Sequence, residues 1–545
     1  MDKQQLRIIF FYTFFLIGNA HASPELWFQA GQQSVAEAKQ LIRNEKPAKN
    51  VILFLGDGMG ISTITAARIF DGQQKGGYGE ENSLSFEKLP YLALSKTYSV
   101  NQQTPDSAPT MTAIVTGVKT NADLISVNEN IALNEPDQKI VTENKLPTIL
   151  EQAKFKGLSV GVVSTARITH ATPAATYAHT SNRDWEADSD KPANATVTDI
   201  AAQLIDFESG SGIDVALGGG RAKFLPNNMQ DPEYGINGKR KDGRDLTGEW
   251  LKKYPNAQYV WNKTQFDAID ANTTEHLLGL FEPSHMHYEA DRLTHDQAGE
   301  PSLTEMTGKA IDILKKNKRG FFLMVESGRI DHAHHAANAY RALSDTQQLA
   351  AAVQTAIDKT GLADTLIIVT ADHSHVFTIG GYPHRGNPIL GLTQNSNAGQ
   401  PEHDLLGLPY TTLNYANGPG YTGKSNQQPE GSKSFATPVV GNWAAGSEGH
   451  MPGSYSPATG RPVLNNNLVQ SADYLQEAVF PLPAETHGGE DVAIFAGGPY
   501  AHLFHGVMEQ NVIYHVMAEA LGLNSQPHIV KHQSADKKPL KNPKQ

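Results

Sequence analysis

Six short runs of continuous apolar residues constrain this chain more than any other feature: Asn50–Asp57 (NVILFLGD), Ser159–Thr165 (SVGVVST), Asp214–Gly220 (DVALGGG), Gly320–Ser327 (GFFLMVES), Thr365–Asp372 (TLIIVTAD) and Asp491–Gly498 (DVAIFAGG). Runs rich in Val and Ile that do not alternate with polar residues are strands covered on both faces. Helical patterns lie between them: PTILEQAKFKG, SLTEMTGKAIDILKKN and AYRALSDTQQLAAAVQTAIDKTG. This order predicts an α/β fold, a mostly parallel central sheet with helices on both faces. No repeat recurs at a fixed period.

The start of the chain reads differently from its body. MDKQQLRIIFFYTFFLIGNAHAS carries Lys3 and Arg7, an apolar stretch Ile8–Ile17, and then Ala20-His21-Ala22. A charged head, a short apolar core and a small-x-small cut site make a secretory leader, so residues 1–22 are expected to be cleaved after Ala22. About ten apolar residues are too few to span a bilayer. The mature protein is therefore expected in the periplasm or the medium, with no membrane attachment after cleavage. There are no cysteines, so export brings no disulfides, and any metal must be held by His and carboxylate. A net charge of −12 argues against nucleic acid as a specific ligand. The basic end, Ser534–Gln545, is expected to be disordered. Residues 376–486 interrupt the strand–helix alternation, and NYANGPGYTGKSNQQPEGSKS within them is dense in Gly, Asn, Pro and Ser. So long a structureless loop is uncommon in a compact domain. The interval reads as an inserted subdomain or arm over the active-site mouth or a subunit partner, with a disordered insert as the alternative.

TPDSAPTMTAIVTG, residues 104–117, has the form of a helix start closed by Gly117. Ser107 either caps its first turn or attacks a group held at its positive end, and the stretch alone leaves both open. More can be read from the strand ends. Asp57, Glu326 and Asp372-His373 each close a predicted strand, where ligands of open parallel sheets gather. A buried carboxylate is costly without a positive partner, and several together repel; divalent cations remove both problems. ESGRIDHAHHAA supplies Glu326, Asp331, His332, His334 and His335, with Asp331 and His335 at helical i, i+4 spacing. TADHSH adds His375, and ETHGGED adds His487. Imidazole and carboxylate are zinc ligands. No His-Glu-x-x-His and no G-x-x-x-x-G-K-[ST] occurs, which argues against a zincin protease and a P-loop NTPase. LGDGMG has the wrong glycine spacing for a dinucleotide loop.

Taken in order, FLGDGMG, TPDSAPTMTAIVTG, VSTARITHATPAATYAHTSNR, VESGRIDHAHH, VTADHSH and THGGEDVAIFA resemble the alkaline phosphatases, metal-dependent phosphomonoesterases of the exported type. The resemblance runs from about Asn50 to Leu523 apart from the insert, so residues 23–545 are expected to form one catalytic domain interrupted at about 376–486. It implies two zinc ions and one magnesium. Asp331, His335 and His487 would hold the first zinc; Asp57, Asp372 and His373 the second, joined by Ser107 as nucleophile; Asp57, Thr172 and Glu326 the magnesium. Arg183 would grip the substrate phosphate. His170 and His332, just behind these ligands, stand where the best-studied bacterial pattern has Asp and Lys, so the third site is expected to hold magnesium less firmly or to share it with zinc. Phosphate monoesters are the implied substrates and a homodimer the implied assembly. Three other readings fit less well. A sulfatase needs an arginine where Met111 stands. A phosphodiesterase needs room that Arg183 takes up. A binding protein without turnover leaves a full set of catalytic residue types unexplained.

Overall fold

In the computed structural model the six apolar runs become strands of one ten-stranded sheet. Its strands are β1 Asn50–Gly56, β2 Tyr91–Lys96, β3 Ser159–Arg167, β4 Val215–Gly219, β5 Ala257–Val260, β6 His276–Leu280, β7 Phe321–Ser327, β8 Thr365–Thr370, β9 Val492–Gly497 and β10 Val507–Glu509. Their order across the sheet is β10-β2-β9-β8-β1-β7-β3-β4-β6-β5. The structure describes residues 23–295, 298–395, 399–424, 430–435, 454–455 and 461–523. The predicted leader, the basic tail and residues 396–398, 425–429, 436–453 and 456–460 of the insert lie outside the described residues.

The strands lack alternation because both faces are covered. Ile52 and Phe54 of β1 enter one hydrophobic core, and Val51, Leu53 and Leu55 enter the other. Helices Ile61–Gln74, Leu303–Leu314 and Ala339–Thr360 pack in the first core. Helices Ser107–Thr116, Ile149–Phe155, Ile200–Asp206 and Val512–Leu521 pack in the second. The described residues up to Ile42 form a unit of their own; helix Pro24–Lys39, capped by Ser23, buries none of its residues. No helix among the described residues is long and apolar enough to cross a membrane.

One strand departs from the expected direction. β9 runs antiparallel to both β2 and β8, while the other paired neighbours in the sheet are parallel. The chain arrives from the insert at the carboxyl edge and must run back down. That reversal puts the residues before β9 at the edge where the parallel strands end. The insert is structured where it is described, with a three-stranded sheet of Phe377–Ile379, Leu413–Gly418 and Ala478–Pro481 and a small core of Leu392, Leu464, Val469 and Tyr474.

Candidate active site

The site forms where four neighbouring strands end. β8, β1, β7 and β3 lie side by side, with Leu55 level with Thr370 and Glu326, and Glu326 level with Ser164. Asp57, Glu326, Asp372 and His373 therefore crowd one edge, all fully buried. Burial pushes Asp57 well above the usual carboxylate range, and Asp372, Asp331, Glu326 and Asp106 push it further. Glu326 is also raised, by burial first and against the pull of Ser164 and His170. Glu326 Oε1 and Asp372 Oδ2 have no hydrogen-bond partner among the described residues. Such a set lacks positive charge. The Gly58 and His373 amides each donate to Asp372 Oδ1 at 3.1 Å. A Cβ at Gly58 (φ +66°) would lie 2.3 Å from His375 Nε2, so the glycine in LGDGMG serves close packing of the site.

Ser107 opens helix Ser107–Thr116, yet its neighbour is the cap: the Ser107 N–H donates to Asp106 Oδ1 at 2.6 Å. The Ser107 hydroxyl instead faces Asp57 Oδ1 at 3.4 Å and His373 Nε2 at 3.3 Å. Asp106 also holds Arg183, whose Nη1 is 2.5 Å from Asp106 Oδ1 and whose Nη2 is 3.1 Å from His170 Nε2. Burial would raise Asp106, but Arg183, His487 and His373 hold it well below the usual carboxylate range. One carboxylate thus anchors both the helix end and the guanidinium, the two features of this pocket suited to an anion.

Beside this pocket, the donors predicted from the sequence form three groups. Helix Arg329–His335 sets Asp331 and His335 on one face, with His335 Nε2 3.3 Å from Asp331 Oδ1. His487 Nε2 lies 3.2 Å from the same oxygen and 3.1 Å from His335 Nε2. His335 Nδ1 donates to the Glu485 carbonyl at 2.6 Å and His487 Nδ1 to the Pro105 carbonyl at 2.8 Å. With those protons committed, two Nε2 lone pairs and a carboxylate oxygen converge, and only a cation or an added proton can hold them together. Without a cation the proton goes to His335: burial opposes it, but Asp331 and Glu485 raise the imidazole to about 10. The second group is Asp57, Asp372 and His373; burial lowers His373 to about 4 despite Asp372, leaving a neutral ring. The third is Asp57, His170 and Glu326, with the Thr172 hydroxyl donating to Asp57 Oδ2 at 3.5 Å. His170, expected behind the ligands, sits among these donors. His332 is kept neutral chiefly by burial, then by His285 and Arg329. Its Nε2 is 4.0 Å from Asp331 Oδ2.

Several residues that complete the site carry no assignment in the sequence reading. His375 bridges Asp331 Oδ1 (2.9 Å from Nε2) and Glu485 Oε2 (2.6 Å from Nδ1). The doubled His of TADHSH and a Glu two places before His487 are the only local signals for it. Asp106 reads as part of a cap signature. His285 has no local signal: it follows β6 in sequence, and its ring lies 4.2 Å from His332 and 5.3 Å from His170.

A serine hydroxyl at a helix start, beside buried clusters of carboxylate and imidazole at the carboxyl edge of a mostly parallel sheet, gives an α/β protein the groups for cation-assisted chemistry. The family model for alkaline phosphatase matches residues 48–523. Tissue-nonspecific alkaline phosphatase of Gallus gallus is 43% identical over 516 residues, covering 93% of this chain and 91% of that protein. The Homo sapiens protein of that name is 42% identical over 517 residues, covering 93% and 90%. Among solved structures, alkaline phosphatase from the Antarctic bacterium TAB5 superposes with a TM-score of 0.56 at 22% identity, covering 88% of this chain and all (100%) of that one. The Thermus thermophilus alkaline phosphatase gives a TM-score of 0.59 at 23% identity, covering 90% and 94%. The chain belongs to the alkaline phosphatase family and is a phosphomonoester hydrolase. The fold class and family expected from its motifs are thereby met.

Proposed function

We propose that this phosphomonoesterase acts by double displacement at Ser107. The observation that carries the reading is the convergence of His335 Nε2, His487 Nε2 and Asp331 Oδ1 close to a hydroxyl that is not used as a helix cap. Asp331, His335 and His487 would hold one zinc, and Asp57, Asp372, His373 and Ser107 a second. Asp57, Thr172 and Glu326 would hold magnesium, with His170 adding an imidazole that lets zinc compete there. Bound zinc ions supply the acidity that turns an alcohol or water into a nucleophile and eases departure of an alkoxide.

Ser107 Oγ loses its proton and bonds to phosphorus as the ester P–O bond breaks and the substrate alcohol leaves. Water then attacks the phosphoserine from the vacated side; its oxygen stays on phosphate, and Oγ recovers a proton. Two in-line displacements retain configuration at phosphorus. Arg183, held by Asp106, grips non-bridging phosphoryl oxygens through its planar fork while the helix amides take their share of charge. A second ester group would occupy those oxygens, so monoesters are the substrates. Residues 1–22 are proposed as a cleaved leader that sends residues 23–545 out of the cytoplasm, where the enzyme works as a homodimer.

Acid quenching during turnover of a ³²P-labelled aryl phosphate is expected to leave label on the peptide containing Ser107. No labelled protein, or equal turnover of the matching diester, would overturn the reading. Arg183→Lys keeps the charge but loses the fork, and is expected to lower kcat/KM by about 10- to 100-fold. Steady-state kinetics with phosphate as competing inhibitor checks it: phosphate should bind more weakly by a similar factor.

A further inference from the structure

The two ends of the insert are tied together at the site. His375 pairs with His487, and Ser374 with Gly488, in a short antiparallel ladder, and the Val376 N–H donates to the Thr486 carbonyl at 3.3 Å. The insert is therefore a closed loop springing from between His373 and His487, and its inner layer rests on the helix that carries Asp331 and His335. Tyr415, fully buried on strand Leu413–Gly418, places its hydroxyl 2.8 Å from His334 Nδ1, while the other nitrogen of that ring meets Thr63 Oγ1 at 2.9 Å. Gln476 clamps the turn after the helix: its N–H donates to the Ala337 carbonyl at 2.9 Å, and its side-chain oxygen accepts the Ala339 N–H at 2.6 Å. Ala337 there holds a left-handed φ of 54°, a strain for a residue with a Cβ that its surroundings must maintain.

Glu485 makes the most direct connection. Its N–H donates to the His335 carbonyl at 2.9 Å, and its own carbonyl accepts His335 Nδ1 at 2.6 Å. Its carboxylate accepts the Val376 N–H at 2.8 Å with one oxygen and meets His375 Nδ1 at 2.6 Å with the other. His375 in turn reaches Asp331. Asn417 exchanges hydrogen bonds with Thr486, 2.9 and 3.0 Å long, next to His487. All three donors of the first group are thus braced from the insert side.

We propose that the insert is the outer support of the first cation site and that Glu485 is its positioning residue, acting on Asp331 through His375 and on His335 through the backbone. The proposal rests on the reading of Asp331, His335 and His487 as zinc ligands. Groups behind metal ligands fix ring orientation and raise ligand affinity about 10- to 100-fold.

The test uses zinc-loaded full-length enzyme and its Glu485→Gln and Asn417→Ala variants. Zinc retention is measured against a competing chelator, alongside kcat and KM. Glu485→Gln is expected to give up one zinc per chain about 10- to 100-fold more readily and to regain kcat when free zinc is raised; Asn417→Ala should show a smaller loss of the same kind. Should Glu485→Gln fail to fold, Asn417→Ala carries the test alone. Retention equal to wild type in the folded variants overturns the proposal, as does a loss of kcat that added zinc does not restore. Failure of wild type to bind zinc would instead remove the functional reading beneath it.

Discussion

Replacing Ser107 by alanine is expected to lower kcat for an aryl phosphate on the order of 10³-fold or more while leaving the fold and two zinc ions per chain in place. The separation of effects follows from the cap. Asp106 takes the free amide at the start of helix Ser107–Thr116, so the helix does not depend on the Ser107 side chain. The hydroxyl's own contacts, at 3.3 and 3.4 Å, are long, and their loss costs little stability. Asp57, Asp372 and His373 still form a complete donor group. What disappears is the atom that accepts the phosphoryl group, so labelled phosphoenzyme should be absent from the variant under conditions that trap it in wild type. Zinc content by mass spectrometry, thermal melting and quenched-turnover labelling measure the three parts separately. A variant that keeps near-normal turnover would show that water attacks the ester directly. Inversion at phosphorus in wild type would show the same.

How much of this was legible in the sequence depended on the range of the cause. The strands β1, β3, β4, β7 and β8 were readable because burial on both faces writes itself into consecutive residues. β9 was readable as a strand but not in its direction, since a run such as VAIFAG is the same pattern either way. Only the arrival of the chain from the insert makes it antiparallel, and that reversal brings His487 to Asp331. Strand β2 escaped notice because most of its residues are partly exposed, β5 because it is only four residues long and partly exposed, and β6 because HLLGL starts with a histidine. In the site, Asp331 and His335 announced themselves through helical spacing. Asp106 was masked by its resemblance to an ordinary cap signal. His375 was legible as an imidazole of TADHSH but not in its role, and Glu485 closes an insert read as a subdomain or arm, whose contacts with helix Arg329–His335 and the turn after it come from residues such as Tyr415 and Gln476. His285 comes from a turn far along the chain, and no period or spacing points to it.

Ion removal should turn the pH dependence of the protein around. In the ion-free protein His335 is raised to about 10 by Asp331 and Glu485 against the opposing effect of burial, while an unfolded chain releases that proton near 6.5. Between those values the folded state holds a proton that the unfolded state lacks, so stability falls as pH rises. Asp57 and Glu326, raised by burial, act in the same direction above the ordinary carboxylate range. Asp331, held well below that range by His335, His375 and His487 in spite of burial, contributes stability that is already complete near neutrality. The chelated enzyme is therefore expected to melt at progressively lower temperature from pH 7 to 9. Zinc reverses the sign, because it takes the position of the His335 proton: binding releases a proton, and affinity at that site should rise by about tenfold per pH unit until His335 is itself neutral. Calorimetric zinc titrations in two buffers of different ionisation heat count the released proton, and His335→Gln should abolish it together with one zinc per chain. A zinc affinity flat between pH 7 and 9 would place the cation elsewhere than between His335, His487 and Asp331. If Asp331, His335 and His487 hold zinc as proposed, the same linkage would favour activity on the alkaline side, where protons compete less for His335.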